Sequence, residues 1–274
     1  MNNISFEFFP PNTPEGDVKL RAVTEQLMLL KPKYFSVTYG AGGATREKTM
    51  STVKAVAEAG NDVAPHLSCV GATKASVMEL LETYRAQGIN RLVALGGDVP
   101  SGMVAAGDFR YATDLVKFVR AETGDHFNLA VAAYPEVHPR ALTAKADLSA
   151  LKLKQDLGAN VAVTQFFYNA DAYFASADAA QKAGITIPIM VGVMPLHSYS
   201  RVARFAESCG TEMPRWLNKR MADFGDDAES VRALGLDVVT QLCERLIAGG
   251  APGLHFYTMN QAKLTTEIVQ RLRG

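Results

Sequence analysis

The sequence predicts an α/β fold, a (β/α)8 TIM barrel spanning residues 1–274 as one domain, with extra helices between the seventh and eighth strands. Short β-branched and aromatic runs recur along the chain, each followed by a turn and a longer stretch with helical spacing of its apolar residues. There are eight such runs, the number a closed barrel of this class requires. No Pro/Gly/Ser-rich linker, low-complexity tract or shift in composition marks a boundary between domains.

In chain order, strands are expected at Ser5 to Phe8, Tyr34 to Thr38, Val63 to Leu67, Arg91 to Ala94, Asn128 to Ala132, Asn160 to Gln165, Ile187 to Gly192 and Gly253 to Tyr257. The first five are followed by amphipathic segments at Val18 to Leu30, Arg46 to Ala59, Ala75 to Gln87, Tyr111 to Glu122 and Leu142 to Leu157. Polar or Gly-containing ends suit each of these to a helix boundary. The interval before the eighth strand is much longer. It carries helical patterns near Tyr199 to Ser208, Pro214 to Met221 and Ala228 to Ile247, so one or two helices there exceed the regular alternation.

The rival fold is an open doubly wound sheet, suggested by Gly40-Ala41-Gly42-Gly43-Ala44-Thr45 between a strand and a helix. Thr45 stands where close helix packing needs a small residue, and Asp62 begins the next strand where a ribose-binding acid would end it. A Gly-rich turn accounts for the run without a nucleotide.

Composition excludes several function classes. With 28 basic and 28 acidic side chains the formal charge is +0, which removes the electrostatic basis for nucleic-acid binding. Cys69, Cys209 and Cys243 are odd in number and widely spaced, so neither a disulfide framework nor a zinc site is expected, and a reducing cytoplasm fits. The N-terminal stretch has no basic region and carries Glu7 within its apolar run, unlike a signal peptide. Ile185 to Leu196 is too short to span a bilayer and contains Pro188 and Pro195, so no membrane segment is expected.

In a barrel of this class the chemistry sits at the carboxyl ends of the strands. Polar residues concentrate there: Glu7, Thr38, Tyr39, His66, Ser68, Gly97, Asp98, Tyr134, Glu136, His138, Thr164, Gln165, His255 and Tyr257. Alternation puts Glu7 on the opposite face from Phe6 and Phe8. If that face is the barrel interior, desolvation raises its pKa and supplies a carboxylic acid near neutral pH; otherwise Glu7 is an edge-exposed acid near the N-terminus. His66, His138, His197 and His255 lack metal-binding spacings, so no metal is expected. Cys69 reads as a small core residue, and Phe166, Phe167 and Tyr168 as packing.

Joint motifs resemble one family, the flavin-dependent 5,10-methylenetetrahydrofolate reductases. The strings are S-F-E-F-F-P-P at Ser5 to Pro11, S-V-T-Y-G-A-G-G at Ser36 to Gly43, P-H-L-S-C-V-G at Pro65 to Gly71 and V-A-L-G-G-D at Val93 to Asp98. They continue with A-A-Y-P-E-V-H-P at Ala132 to Pro139, L-K-x-K-x-D-x-G-A-N at Leu151 to Asn160, T-Q-F-F-Y at Thr164 to Tyr168 and H-F-Y-T-M-N at His255 to Asn260. The resemblance implies an FAD-binding catalytic barrel, with NAD(P)H reducing the flavin before methylenetetrahydrofolate is reduced to methyltetrahydrofolate at the same face. It implies Glu7 as general acid and Asp98 as the carboxylate beside the flavin ring. Implied FAD contacts are Thr38, Tyr39, Ala41, His66, Gly97, Asp98, Tyr134, His138, Asp147 and Lys154, the last pairing with the pyrophosphate. For the folate it implies Gln165 on the pterin and Phe205 as an aromatic shared with nicotinamide. A homo-oligomer is compatible with it.

The chain departs from the family pattern at three places. Gly96 stands where Arg is common, Leu153 replaces a frequent basic residue, and Gln261 and Arg201 stand where Arg and Gln are frequent. The first two remove anion contacts and predict weaker FAD retention. The third suggests that Arg201 replaces the cation missing at Gln261 on the folate's glutamate tail. Alternatives are a flavin-independent or physiologically oxidative variant of the reaction, or a non-catalytic flavin- or folate-binding module.

Overall fold

A computed structural model describes residues 3–40, 45–97, 107–225 and 227–274. Eight parallel strands close on themselves in chain order: β1 (Ile4–Phe8), β2 (Phe35–Val37), β3 (Val63–Ser68), β4 (Arg91–Leu95), β5 (Asn128–Ala133), β6 (Val161–Thr164), β7 (Ile189–Val193) and β8 (Leu254–Tyr257). Closure is by β8 against β1, with Ser5 opposite His255 and Glu7 opposite Tyr257. A closed ring leaves no central sheet with a switch point, so the doubly wound alternative is excluded.

Around the ring lie α1 (Pro14–Met28), α2 (Arg46–Glu58), α3 (Lys74–Ala86), α4 (Ala112–Thr123), α5 (Ala144–Asp156), α6 (Ala170–Lys182), α7 (Tyr199–Cys209), α8 (Arg215–Phe224), α9 (Ala228–Ala248) and α10 (Lys263–Arg273). Threonine caps set several starts: the hydroxyls of Thr13, Thr45, Thr73 and Thr143 each accept a backbone N–H from the first turn. Helix α1 begins four residues before the expected Val18, because Thr13 caps it and Pro14 supplies a fixed φ at its first turn. The apolar spacing marks only the part of that helix that packs. Strand β7 begins at Ile189, two residues late, since Pro188 has no N–H for the ladder.

Alternation divides each strand between two cores. Phe6, Phe8, Phe35 and Phe256 point outward to the helical layer and are fully buried, with Phe8 stacked on Phe35 at 5.1 Å between ring centroids. Each such side chain contributes about 1.5–3 kcal/mol of hydrophobic stabilisation. Ala64, Val93, Ala130, Val163 and Met190 form the inner plug. Polar side chains therefore line the barrel where that apolar plug ends.

The long interval before β8 contains α7, α8 and α9. Helix α9 is the wall helix, burying Val231, Leu236, Val239, Cys243 and Leu246, and it packs on α10. The other two are the expected additions. No helix among the described residues is long and apolar enough to cross a membrane.

Candidate active site

The alternation that turns Phe6 and Phe8 outward turns Ser5 and Glu7 inward, and register brings β2, β3 and β8 residues to meet them. Glu7 Oε2 lies 3.4 Å from His66 Nε2 and 3.5 Å from His255 Nε2. Ser36 Oγ donates to Glu7 Oε2 at 3.4 Å and also lies 3.4 Å from His255 Nε2. Behind them, Ser5 Oγ is 2.7 Å from His255 Nδ1. With Nε2–H turned toward Glu7, Nδ1 accepts the Ser5 hydroxyl proton when the ring is neutral and donates to Ser5 when it is charged. Both imidazoles are buried, whereas the Glu7 side chain keeps 18% of its surface exposed, so the carboxylate is the member of this cluster that a ligand can reach.

Glu7 does face the interior, and burial does push its pKa upward, but the expected net rise is reversed. Hydrogen bonds from His255 and His66, together with their charge, outweigh the desolvation and pull the carboxyl down to about 2. A protonated Glu7 near neutral pH is therefore not the resting state of this arrangement. The correction comes from two histidines that strand alternation brings within 3.5 Å.

A second group gathers on the loop after β5. The Tyr134 and His138 rings meet at 4.3 Å, His138 N–H donates to Asp147 Oδ2 at 3.0 Å, and Arg140 N–H donates to His138 Nδ1 at 3.0 Å. Val137 in this loop has φ +70°, a strained value for a β-branched residue. Glu136 Oε2 accepts from Glu212 N at 2.8 Å, which ties the loop to the segment after α7. Burial raises the Glu136 carboxyl, and that hydrogen bond opposes the rise. Lys154 on α5 is half-buried, with Nζ donating to Ala132 O at 2.9 Å, and desolvation lowers its pKa.

The other candidates are placed as follows. Thr38 follows β2 with a buried Oγ1 that has no hydrogen-bond partner among the described residues, and Tyr39 comes next, partly buried. Gly97 has φ +73°, and a Cβ there would lie 2.2 Å from Ser68 Oγ, so only glycine fits this turn. Ala41 and Asp98 lie outside the described residues. Gln165 lines a small cavity with Tyr134, Glu136 and Thr211, its Oε1 accepting from Phe166 N. Arg201 and Phe205 are one helical turn apart on α7, both exposed, and Gln261 is exposed just after β8. Cys69 is buried with its thiol pushed up to about 12 by burial and by Asp114, as suits a core residue.

Ser5, Ser36 and His255 complete the Glu7 cluster; reading strand ends selects His255 but neither serine. Their signal is parity: each falls on the inward face of its strand. Among the described residues no group of three His, Cys, Asp or Glu side chains is gathered to hold a metal ion. A cleft of about 440 Å³ lies on the outer wall between α6, α8 and α9, against Tyr168, Trp216 and Leu242, and takes in none of these groups.

The fold and the polar mouth define a (β/α)8-barrel protein whose strand ends hold an interior carboxylate–imidazole cluster beside an aromatic loop. A family model described as methylenetetrahydrofolate reductase matches residues 1–273. The 5,10-methylenetetrahydrofolate reductases of Salmonella typhimurium (strain LT2) and Escherichia coli (strain K12) are each 39% identical over 98% of this chain and 90% of their own length. Methylenetetrahydrofolate reductase (NADH) 1 of Arabidopsis thaliana is 34% identical over 98% of this chain, which spans 48% of that longer protein. The chain belongs to the methylenetetrahydrofolate reductase family. Among solved structures, an uncharacterized Clostridium thermocellum protein described as binding two copies of 5-methyl-5,6,7,8-tetrahydrofolic acid shares the fold. Its TM-score is 0.71 at 16% identity, covering 99% of this chain and 95% of that one.

Proposed function

We propose that this protein reduces 5,10-methylenetetrahydrofolate to 5-methyltetrahydrofolate at the barrel mouth, with NAD(P)H as reductant and FAD as the bound cofactor. The observation that carries the reading is the Glu7 carboxylate held inside the barrel by His66 and His255. Opening the folate's five-membered ring requires a proton at the departing nitrogen and a hydride at the methylene carbon. The residues of this chain supply the proton, while FAD, when bound, supplies a two-electron carrier between nicotinamide and folate.

The donor is the cluster rather than Glu7 alone. With the carboxyl held at about 2, Glu7 rests ionised, and the ring nitrogens that face it, and from which it takes up a proton, belong to His66 and His255. Glu7, the member that reaches the mouth, passes that proton to the substrate, and Ser5 orients His255 to replace it. The donor set fits a flavin. The unpartnered Thr38 Oγ1 offers a polar edge contact, and the Tyr134 and His138 rings, packed edge to face, offer an aromatic wall. Thr38, Tyr39, His66, Gly97, Tyr134, His138, Asp147 and Lys154 are its described walls, with Gln165, Phe205, Arg201 and Gln261 toward the folate.

An anaerobic absorption experiment tests the reading. The purified protein should show bands near about 375 and 450 nm, lose them on addition of NADH or NADPH, and regain them with methylenetetrahydrofolate. Bleaching without recovery by the folate would refute the substrate. Folate turnover by a protein with no flavin bands would move the reading to direct hydride transfer.

A further inference from the structure

We propose that the proton consumed at the mouth is replaced from the opposite end of the barrel, along a relay of Tyr34, Ser5 and His255; this rests on the folate reduction proposed above. The lower interior of the barrel is uneven. From β3 to β7 it is filled by the apolar side chains of Ala64, Val93, Ala130, Val163 and Met190. The three strands that complete the ring turn polar groups inward instead: His255 from β8, Ser5 from β1 and Tyr34 from the residue before β2. A polar seam therefore runs through an apolar plug, on the side that holds Glu7.

The seam is continuous. Glu7 Oε2 lies 3.5 Å from His255 Nε2, and His255 Nδ1 lies 2.7 Å from Ser5 Oγ. The Ser5 and Tyr34 side chains share a hydrogen bond, and the Tyr34 ring stacks on His255 with centroids 5.9 Å apart. Ser5 and His255 are buried, whereas Tyr34 is partly exposed at the amino-terminal ends of the strands. There Arg91 lies over its ring at 5.2 Å, and the exposed Asp62 lies 3.5 Å from Arg91 Nε. Burial raises the pKa of the Tyr34 hydroxyl, so it keeps its proton at neutral pH and acts by exchange rather than by ionising.

For each proton that Glu7 gives to the departing folate nitrogen, His255 gives its Nε2 proton to Glu7 and takes one at Nδ1 from Ser5. Ser5 takes one from Tyr34, and Tyr34 takes one from solvent. No charge is left inside the barrel, and hydroxyl rotation with a change of tautomer at His255 resets the relay. While the proton is being used, substrate covers Glu7, so the route from below is the one that still reaches water.

The competing role is a brace, in which the Tyr34 hydroxyl only steadies Ser5 and His255. Tyr34→Phe keeps the ring between Arg91 and His255 and removes the hydroxyl alone. Exchange of the His255 ring N–H with solvent, read by nitrogen-15 NMR of the flavin-free chain, separates the two roles. Glu7→Gln blocks the route from the mouth, and adding Tyr34→Phe to it should slow that exchange about tenfold or more, whereas loss of a brace would leave it unchanged or faster. In the holoenzyme, Tyr34→Phe should slow reoxidation of reduced flavin by methylenetetrahydrofolate about tenfold or more and leave its reduction by NADH within about twofold. Exchange that is unchanged or faster, or folate-driven reoxidation at the wild-type rate, would overturn the relay. A wild-type protein whose reduced flavin the folate fails to reoxidise would refute the proposed substrate, and the relay's role with it.

Discussion

Replacing Glu7 by Gln keeps the side chain's shape and removes its charge, which isolates the electrostatic work of the cluster. Burial alone would raise the carboxyl, but hydrogen bonds and charge from His255 and His66 bring it from its ordinary 4.5 to about 2. A folded-state value below the unfolded one means that the unfolded chain binds the proton more tightly. The stability contributed by Glu7 is therefore fully present above pH 4.5 and is lost as pH falls toward 2. At about 1.4 kcal/mol per unit, the separation is worth at most about 3.5 kcal/mol. Glu7→Gln should be destabilised by up to that amount at pH 7, with a gap to wild type that stays constant down to about pH 4.5 and narrows below it. Urea unfolding followed by circular dichroism, repeated from pH 7 to the lowest pH at which both proteins fold, measures the gap. A variant as stable as wild type at pH 7, or a gap that fails to narrow below pH 4.5, would refute the reasoning.

The same substitution should slow reoxidation of reduced flavin by methylenetetrahydrofolate about a hundredfold or more while NADH-driven flavin reduction stays within a few fold, since only the first needs the proton; stopped-flow of each half-reaction resolves them, and equal losses would remove Glu7 from the acid role. Arg201→Ala should raise the folate KM and leave flavin reduction unchanged, with recovery on adding Gln261→Arg; an unaltered KM would end the assignment of Arg201 to the glutamate tail. Thiol labelling of the native protein at pH 8 should reach the partly exposed Cys209 first and spare Cys69, whose thiol sits at about 12; peptide mapping after brief iodoacetamide treatment reports the order. Asn260→Ala should cost about 2 kcal/mol, because the Asn260 side chain bonds both Phe9 N (3.1 Å) and Phe9 O (2.8 Å) from a backbone at φ +54°; a Tm unchanged from wild type would show that barrel closure does not depend on this stitch.

The order and number of the strands follow from local pattern. Runs such as S-F-E-F and H-F-Y carry their own alternation, and the helices between them carry their own spacing and threonine caps, so the barrel is legible from residues close in sequence. The inward direction of Glu7 is legible for the same reason, since Phe6 and Phe8 take the opposite face. The sign of its pKa shift is not local. His255 stands 248 positions from Glu7 and joins it only because β8 closes on β1, and His66 arrives from β3 across the ring. Without that closure, burial is the only effect a reading of the chain can assign to Glu7, and it has the wrong sign. The same holds for Lys154 and Arg140: side by side in a list of charges they look alike, and only packing sets Lys154 Nζ on Ala132 O and the Arg140 guanidinium on Gly97 O. Sequence determines which faces are apolar because periodicity is a short-range property. Tertiary structure alone decides which charges share a few ångströms, and electrostatics depends on that distance.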